Sequence, residues 1–267
     1  MDKLTSEERY YIIGFLQGDG SLSETTRNRG KLTLEISIRD IDIIHKIRNI
    51  FIREYPNLTI SISIRTRNTN FKDNYTSVCL CVYNKTIRQQ IEKFVPIGKK
   101  ADRITPPTIL DSKNIRHYIR GLTDADGSLG ITSNNRPFWS LCTSSEKIKD
   151  FILKEINKQL EITKRINRNN RDTTYNISLF DEDAVIWSKY LYDNTVLALS
   201  RKLVKAKNEI CYWQRTIPKR KGQQKSWIIE EDKLLLSNTL SIKELQRLLN
   251  RSKSSIQTRL WRLTSNK

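Results

Sequence analysis

The sequence predicts an α+β fold: two pseudo-symmetric αββαββα halves whose antiparallel strands form one open saddle, then a small all-α domain of three helices. Three observations carry this prediction. A helical stretch ending in Asp-Gly occurs twice, as Ile12-Ile13-Gly14-Phe15-Leu16-Gln17-Gly18-Asp19-Gly20 and as Ile119-Arg120-Gly121-Leu122-Thr123-Asp124-Ala125-Asp126-Gly127, and its carboxylates lie 126 − 19 = 107 residues apart. After each stretch, apolar and polar residues alternate with the period of strands that are buried on one side. From Pro218 the alternation stops and short amphipathic segments replace it. The segments are a first half at 1–98, a connector at 99–113, a second half at 114–216, a basic linker at 217–226 and a terminal module at 227–267.

In the first half, Thr5-Ser6-Glu7-Glu8 is a capping box that starts the opening helix. Lys31, Thr33, Glu35, Ser37 and Arg39 then fall on one side of a strand, with Leu32, Leu34, Ile36 and Ile38 on the other. Asp40 caps a helix striped by Ile43, Ile44, Ile47 and Phe51. The next strand turns Ile60, Ile62 and Ile64 inward and Ser61, Ser63, Arg65 and Arg67 outward. A loop at Asn68 to Asn74 leads to a strand from Thr76 to Val82 and a helix from Asn84 to Val95.

The second half repeats this order. A helix through Tyr118 to Asp126 precedes a hairpin of Leu129 to Thr132 and Phe138 to Thr143, and Ser144 or Ser145 caps a helix bearing Ile148, Phe151, Ile152 and Ile156. Strands are expected at Glu161 to Arg168 and Thr173 to Phe180, then a helix near Asp183 to Leu191.

Gly20 and Gly127 stand where a helix would end in the left-handed conformation. Asp19 and Asp126 then occupy last turns, where the helix dipole disfavours a carboxylate by roughly 0.3–1 kcal/mol. Two such placements at repeat-related positions suggest a cation, which reverses the local preference. Small residues recur four apart, Gly14 and Gly18 in one helix and Gly121 and Ala125 in the other, so the helices can touch backbone to backbone and bring both acids to one end of a shared seam.

These two stretches resemble the signature of LAGLIDADG homing endonucleases in their single-chain, two-motif form. The copy Gly121-Leu-Thr-Asp-Ala-Asp-Gly is nearly complete; the first departs at Gln17, where an acid is usual, and at Gly18, where alanine is. The resemblance implies that Asp19 and Asp126 bind metal, with Gly18 and Ala125 beside them in the metal set, and that the metal is Mg²⁺, with Mn²⁺ as substitute. It also implies that Lys100 and Lys202, in the matching tails Val95 to Ala101 and Leu197 to Leu203, stabilise transition-state charge or organise the attacking water. Each is preceded by a second cation, Lys99 or Arg201, that could take over the alignment, and plain phosphate anchors or solvated linker charges are the alternative reading.

A formal charge of +19 over 267 residues points to a polyanionic partner. No apolar run approaches the ~20 residues of a spanning helix, so double-stranded DNA is expected rather than a membrane. Alternate outward residues Lys31, Arg39, Arg65, Arg67, Arg165 and Arg168 would let the strands read a major groove, although such faces are also ordinary solvated surface. Cys79, Cys81, Cys142 and Cys211 show no metal or disulfide spacing and read as small buried residues in a reducing, intracellular compartment, a bacterial or phage-infected cytoplasm or an organelle, with no targeting segment before Leu4. His45 and His117 are too few and too separated for a histidine-based metal site. No glycine-rich phosphate loop occurs, so no nucleotide cofactor is expected.

The basic linker is Pro218-Lys-Arg-Lys-Gly-Gln-Gln-Lys225. Beyond it, Trp227, the capping box Ser241-Ile-Lys-Glu244 and a helix bearing Ile256, Leu260 and Leu263 resemble a Myb/SANT-like helix-turn-helix module, with Ile228 where Thr is usual. That resemblance implies base contacts from Lys253, Ser254, Gln257, Thr258 and Arg262; protein docking is the alternative. From Pro218 onward, 12 Lys and Arg stand against 4 Asp and Glu, which favours DNA.

The expected activity is sequence-specific, metal-dependent hydrolysis of both strands of DNA by a monomer, at a long asymmetric site, leaving short 3′ overhangs as in the family and serving intron homing. A regulator of the same fold that binds DNA without cutting it, and an intron RNA maturase, are the alternatives.

Overall fold

The computed structural model describes residues 3–23, 26, 30–70, 73–108, 110–215, 227–237 and 239–264. They fall into two compact units, Met1–Gln214 and Arg215–Lys267. In the larger unit, the first half runs α1 (Ser6–Asp19), β1 (Gly20–Leu22), β2 (Leu32–Ser37), α2 (Ile41–Glu54), β3 (Ile60–Arg67), β4 (Tyr75–Val82) and α3 (Lys85–Glu92). The capping box is formed, with Thr5 Oγ1 accepting from the Glu8 amide and Glu8 Oε2 from the Thr5 amide. The strands make an antiparallel sheet in the order β1-β2-β4-β3. Leu32, Leu34 and Ile36 alternate inward and join Ile43, Ile44, Ile47 and Phe51 of α2 in one core, each side chain contributing roughly 1.5–3 kcal/mol by leaving water.

The second half runs α4 (Ile115–Asp126), β5 (Gly127–Ile131), β6 (Pro137–Thr143), α5 (Glu146–Leu160), β7 (Tyr175–Phe180) and α6 (Asp181–Tyr192). Then α7 (Ser200–Val204) runs on into a π-helical turn, Lys205–Ile210. Its sheet has three strands, β5-β6-β7, so this half is αββαβα. The strand expected over 161–168 does not form. Glu161 takes a left-handed conformation (φ 53°) at the end of α5. The Asn157 side chain then accepts from the Lys164 amide and donates to the Lys164 carbonyl, occupying that residue's two ladder groups. Arg165 and Arg168 therefore lie on a loop, where Arg168 donates to the Thr173 carbonyl.

Smaller departures have local causes. Arg39 lies in a 3₁₀ turn, Ile38–Asp40, beyond the end of β2. Asp40 stands at the start of α2, but its carboxylate makes no cap and is held by the Arg201 guanidinium at 2.6 and 3.0 Å. Ile64, expected inward, is 60% exposed, because β3 is an edge strand and only Ile60 and Ile62 reach the core. Of the cysteines, Cys79 and Cys81 are buried, Cys211 is half-buried and Cys142 is exposed.

Helices α1 and α4 run side by side in the same direction. A Cβ on Gly14 would stand 2.3 Å from the Tyr118 carbonyl oxygen, one on Gly121 would stand 2.2 Å from that of Tyr11, and one on Gly18 would meet the Ala125 Cβ at 2.4 Å. The small-residue stripe is therefore a backbone-to-backbone contact. Gly20 and Gly127 end their helices in extended conformation (φ −77° and −85°), not left-handed. Their lack of a side chain is needed for closeness instead, since a Cβ would lie 2.6 Å from the Leu16 oxygen or 2.7 Å from that of Thr123.

In the smaller unit, α8 (Ile229–Leu236), α9 (Ile242–Leu249) and α10 (Lys253–Thr264) bury Leu235, Leu245 and Ile256, with Trp227, Leu249 and Leu260 packed around them. Arg251 pairs with Glu231 at 2.7 Å and lies 3.9 Å over the Trp227 ring, and Arg259 holds Asp232 through two hydrogen bonds. The basic linker of residues 217–226 lies outside the described residues.

Candidate active site

The seam delivers Asp19 and Asp126 as the last residues of α1 and α4. A Cβ on Gly18 would lie 2.9 Å from Asp126 Oδ2, so the second carboxylate rests over the backbone beside the first. Asp19 is half-buried; Asp126 keeps a side open to solvent while the seam crowds it elsewhere. Burial, reinforced by the neighbouring Asp126, raises the Asp19 carboxyl to about 6, against the lowering influence of Lys100 and Lys202. Burial raises Asp126 as well, again opposed by the two lysines.

The lysines match the acids. Lys100 Nζ donates to the carbonyls of Leu16 (2.8 Å), Gly18 (2.7 Å) and Gly20. Lys202 Nζ donates to those of Thr123 (2.6 Å), Asp124 (2.8 Å) and Gly127 (2.7 Å). Each ammonium thus gathers carbonyls at the end of a motif helix, where Leu16 and Thr123 already accept from the Gly20 and Gly127 amides, and places a cation where the helix dipole is negative. Burial lowers both lysines to about 8, and nearby carboxylates oppose the shift. The neighbouring cations do other work: Lys99 is exposed and its carbonyl accepts from Arg103, while Arg201 holds Asp40.

Reasoning from sequence missed a buried network beneath the acids. Tyr11 donates to Asp124 at 2.7 Å, and so do the Tyr192 hydroxyl (2.6 Å) and the Leu199 amide (2.7 Å). In the other half Tyr118 donates to Gln17, whose amide donates to the carbonyls of Phe94 and Thr105, both at 2.9 Å. The signal was present, because Tyr11 and Tyr118 stand 118 − 11 = 107 residues apart, the interval that also relates Gln17 and Asp124. Arg120, fully buried, joins the halves further down the seam through Glu7 at 2.6 Å.

Two carboxylates with an open side fit Mg²⁺, which binds through one or two carboxylates and keeps several waters. Among the described residues, no group of three or more His, Cys, Asp or Glu could hold a metal. The Gly18 carbonyl faces Lys100, so the backbone beside Asp19 is already engaged; Ala125 lies at the seam against Gly18. His45 is exposed on α2, and His117, lowered to about 4 by burial and the nearby Arg120, lies 3.9 Å from Glu7.

Of the proposed DNA contacts, Lys31 is half-buried and Arg39, Arg65, Arg67, Arg165 and Arg168 are exposed; only Arg65 and Arg67 lie within a strand. Lys253, Ser254, Gln257, Thr258 and Arg262 are all exposed along one side of α10.

The sequence model of the LAGLIDADG-like domain matches the stretch that contains α4, Asp126 and Lys202. The match spans residues 113–210. The fold agrees across both halves: the structure of the homing endonuclease I-WcaI bound to its DNA recognition sequence is similar with a TM-score of 0.51 at 15% identity, over 75% of this chain and 87% of that one. Full-length DUF199/WhiA from Thermatoga maritima gives a TM-score of 0.47 at 16% identity, over 96% of this chain and 89% of that one. A DNA polymerase of Acanthamoeba polyphaga mimivirus is 29% identical over 134 residues, which make up 48% of this chain and 7% of that protein. The chain thus matches only a small part of that curated relative. Because the LAGLIDADG motif of the second half has its repeat partner in α1, the paired acids come one from each half.

Proposed function

We propose that this chain is a sequence-specific, metal-dependent endonuclease that cuts both strands of duplex DNA. The observation that supports it is the delivery of Asp19 and Asp126 to one end of the α1–α4 seam, each with a lysine behind it. The metal, Mg²⁺ with Mn²⁺ as substitute, would activate the attacking water and neutralise the leaving 3′ oxygen. Asp19 and Asp126 would hold it, with Gly18 and Ala125 shaping the floor. Lys100 and Lys202 keep positive charge behind the carboxylates, where negative charge develops on the phosphate in the transition state.

Each half supplies one acid and one lysine, so a monomer addresses both strands. The sheets would lie along the duplex as a saddle, with Lys31, Arg39, Arg65, Arg67, Arg165 and Arg168 toward it, and the cut would leave short 3′ overhangs. In the smaller unit, α10 would add a second contact region as a helix-turn-helix, reading bases through Lys253, Ser254, Gln257, Thr258 and Arg262 and lengthening the site.

The test is incubation of the purified chain with Mg²⁺ and the DNA of its own locus cloned without the interrupting element. Double-strand cleavage that Asp19→Asn and Asp126→Asn each abolish supports the proposal. Binding of that DNA without cleavage supports the regulator instead, and preference for the locus transcript supports a maturase.

A further inference from the structure

The outward face of the first sheet carries one acid, and its surroundings are unusual. In register, Glu35 of β2 stands opposite Cys79 of β4, which stands opposite Ser63 of β3. From β2 the Glu35 carboxylate reaches across β4 to cations on β3: Arg67 Nη1 at 2.9 Å and Arg65 Nη1 at 3.7 Å, while Ser77 Oγ of β4 donates to it at 2.7 Å. Neighbouring strands lie about 4.8 Å apart, so this bridge spans roughly 10 Å of sheet. Both arginines make their closest approach to Glu35 through Nη1, Arg67 within hydrogen-bonding distance and Arg65 beyond it. Among the described residues, no hydrogen bond engages the Nε or Nη2 of either arginine, whose side chains are about half exposed.

We infer that Glu35 sets the base preference of the first half-site, by holding Arg65 and Arg67 as a fixed fork whose free edges each meet a guanine in the major groove. This rests on the DNA-binding reading above and deepens it. A carboxylate facing phosphates would only repel them, so its place on this face makes sense against base edges and arginines. Arginine reads guanine O6 and N7 through two parallel hydrogen bonds, which needs a guanidinium set at one angle; unrestrained, the long side chain must give up its rotamer freedom on binding. Glu35 removes part of that freedom before DNA arrives.

The second half gives the contrast. Gly20 pairs with Leu34 and Gly127 with Leu141, so Glu35 corresponds to Cys142. The outward residues of β6 and β7 there are Phe138, Ser140, Cys142, Asn176, Ser178 and Phe180, with no charge among them. The two half-sites are thus read by different chemistry, a charged fork on one side and hydroxyl, amide and aromatic groups on the other.

The experiment is selection from a randomised duplex library, with sequencing of the bound fraction, for the wild type, Glu35→Gln, Arg67→Ala and Cys142→Ser. Circular dichroism checks that each variant is folded. A bidentate arginine–guanine contact discriminates by roughly 5- to 150-fold. The expected result is that Glu35→Gln lowers a G·C preference at least fivefold at one or two neighbouring positions of one half-site, and that Arg67→Ala affects the same positions. Cys142→Ser leaves them unchanged. A Glu35→Gln profile identical to wild type, or a uniform gain on all sequences from lost repulsion, overturns the inference while leaving the endonuclease reading in place. A wild type that enriches no sequence overturns both.

Discussion

The Tyr11 hydroxyl on α1 donates to the Asp124 carboxylate on α4 at 2.7 Å, and the mirror bond runs from Tyr118 on α4 to Gln17 on α1. The seam is therefore locked by two repeat-related hydrogen bonds, one ending on an acid and the other on an amide. Asp124 is fully buried, and its acceptor capacity is taken up by Tyr11, Tyr192 and the Leu199 amide.

Removing one of those donors leaves a buried carboxylate short of a partner. Tyr11→Phe should cost about 2–3 kcal/mol, as hydrogen bonds to charged groups do, and Tyr118→Phe about 1 kcal/mol, since Gln17 is neutral. Urea denaturation of the two variants checks the order; equal losses would mean that the charge difference across the seam carries no weight.

A methyl group at the seam has no room. Gly14→Ala and Gly121→Ala place a Cβ 2.3 and 2.2 Å from carbonyl oxygens of the facing helix, so the helices must separate. Each should cost about 3 kcal/mol or more, at the upper end of overpacking penalties. Gly98→Ala is the control: its φ of +75° strains any other residue, but nothing lies within 4 Å, and about 1 kcal/mol is expected. Thermal melts that rank Gly98→Ala with the other two would sink the close-contact account.

Asp19, raised to about 6, binds more protons in the folded chain than in the unfolded one. Its stabilising effect is therefore complete below about 4 and is lost as pH rises through about 6. At pH 7.5 and without metal, Asp19→Asn should be more stable than wild type, by up to about 3 kcal/mol. Mg²⁺ should raise the wild-type Tm and leave that of Asp19→Asn unchanged, because only a group that binds the folded state shifts the midpoint. A wild-type Tm indifferent to Mg²⁺ at millimolar concentration, with DNA absent, would count against the metal assignment.

Lys202→Met removes the ammonium from the carbonyls of Thr123, Asp124 and Gly127 at the end of α4, of which Thr123 keeps the Gly127 amide, and Lys100→Met does the same at α1, where Leu16 keeps the Gly20 amide. Each should lower stability by about 2–3 kcal/mol, the cost of leaving buried acceptors unsatisfied. Chemical denaturation without DNA is the measurement. Wild-type stability in both variants would identify the lysines as phosphate anchors alone.

Much of the first half was legible from residue type and spacing. The Thr5–Glu8 box, the alternation of Leu32 to Ser37 and the stripe of α2 are local patterns, and local patterns survive because each follows from backbone geometry. The stretch 161–168 shows the opposite case. It alternates like a strand, but the left-handed turn at Glu161 and an Asn157 side chain that claims both backbone groups of Lys164 hold it as a loop, and composition does not reveal such competition. The role of Gly20 and Gly127 was misjudged for a similar reason: a glycine that permits a positive φ and one that permits close approach are spelled alike.

By itself, the sequence determined the repeat, its 107-residue interval, the small-residue stripe and the two acids that end it, because these are matters of identity and order along the chain. Tertiary structure alone decided where the paired cations go: Lys100 and Lys202 turn to the ends of the motif helices, while Arg201 is drawn off to Asp40. It also decided that Tyr11 and Tyr118 cross the seam and that Glu35 gathers two arginines from the far edge of its sheet. These depend on distances between residues remote in sequence, which are settled only when the core packs.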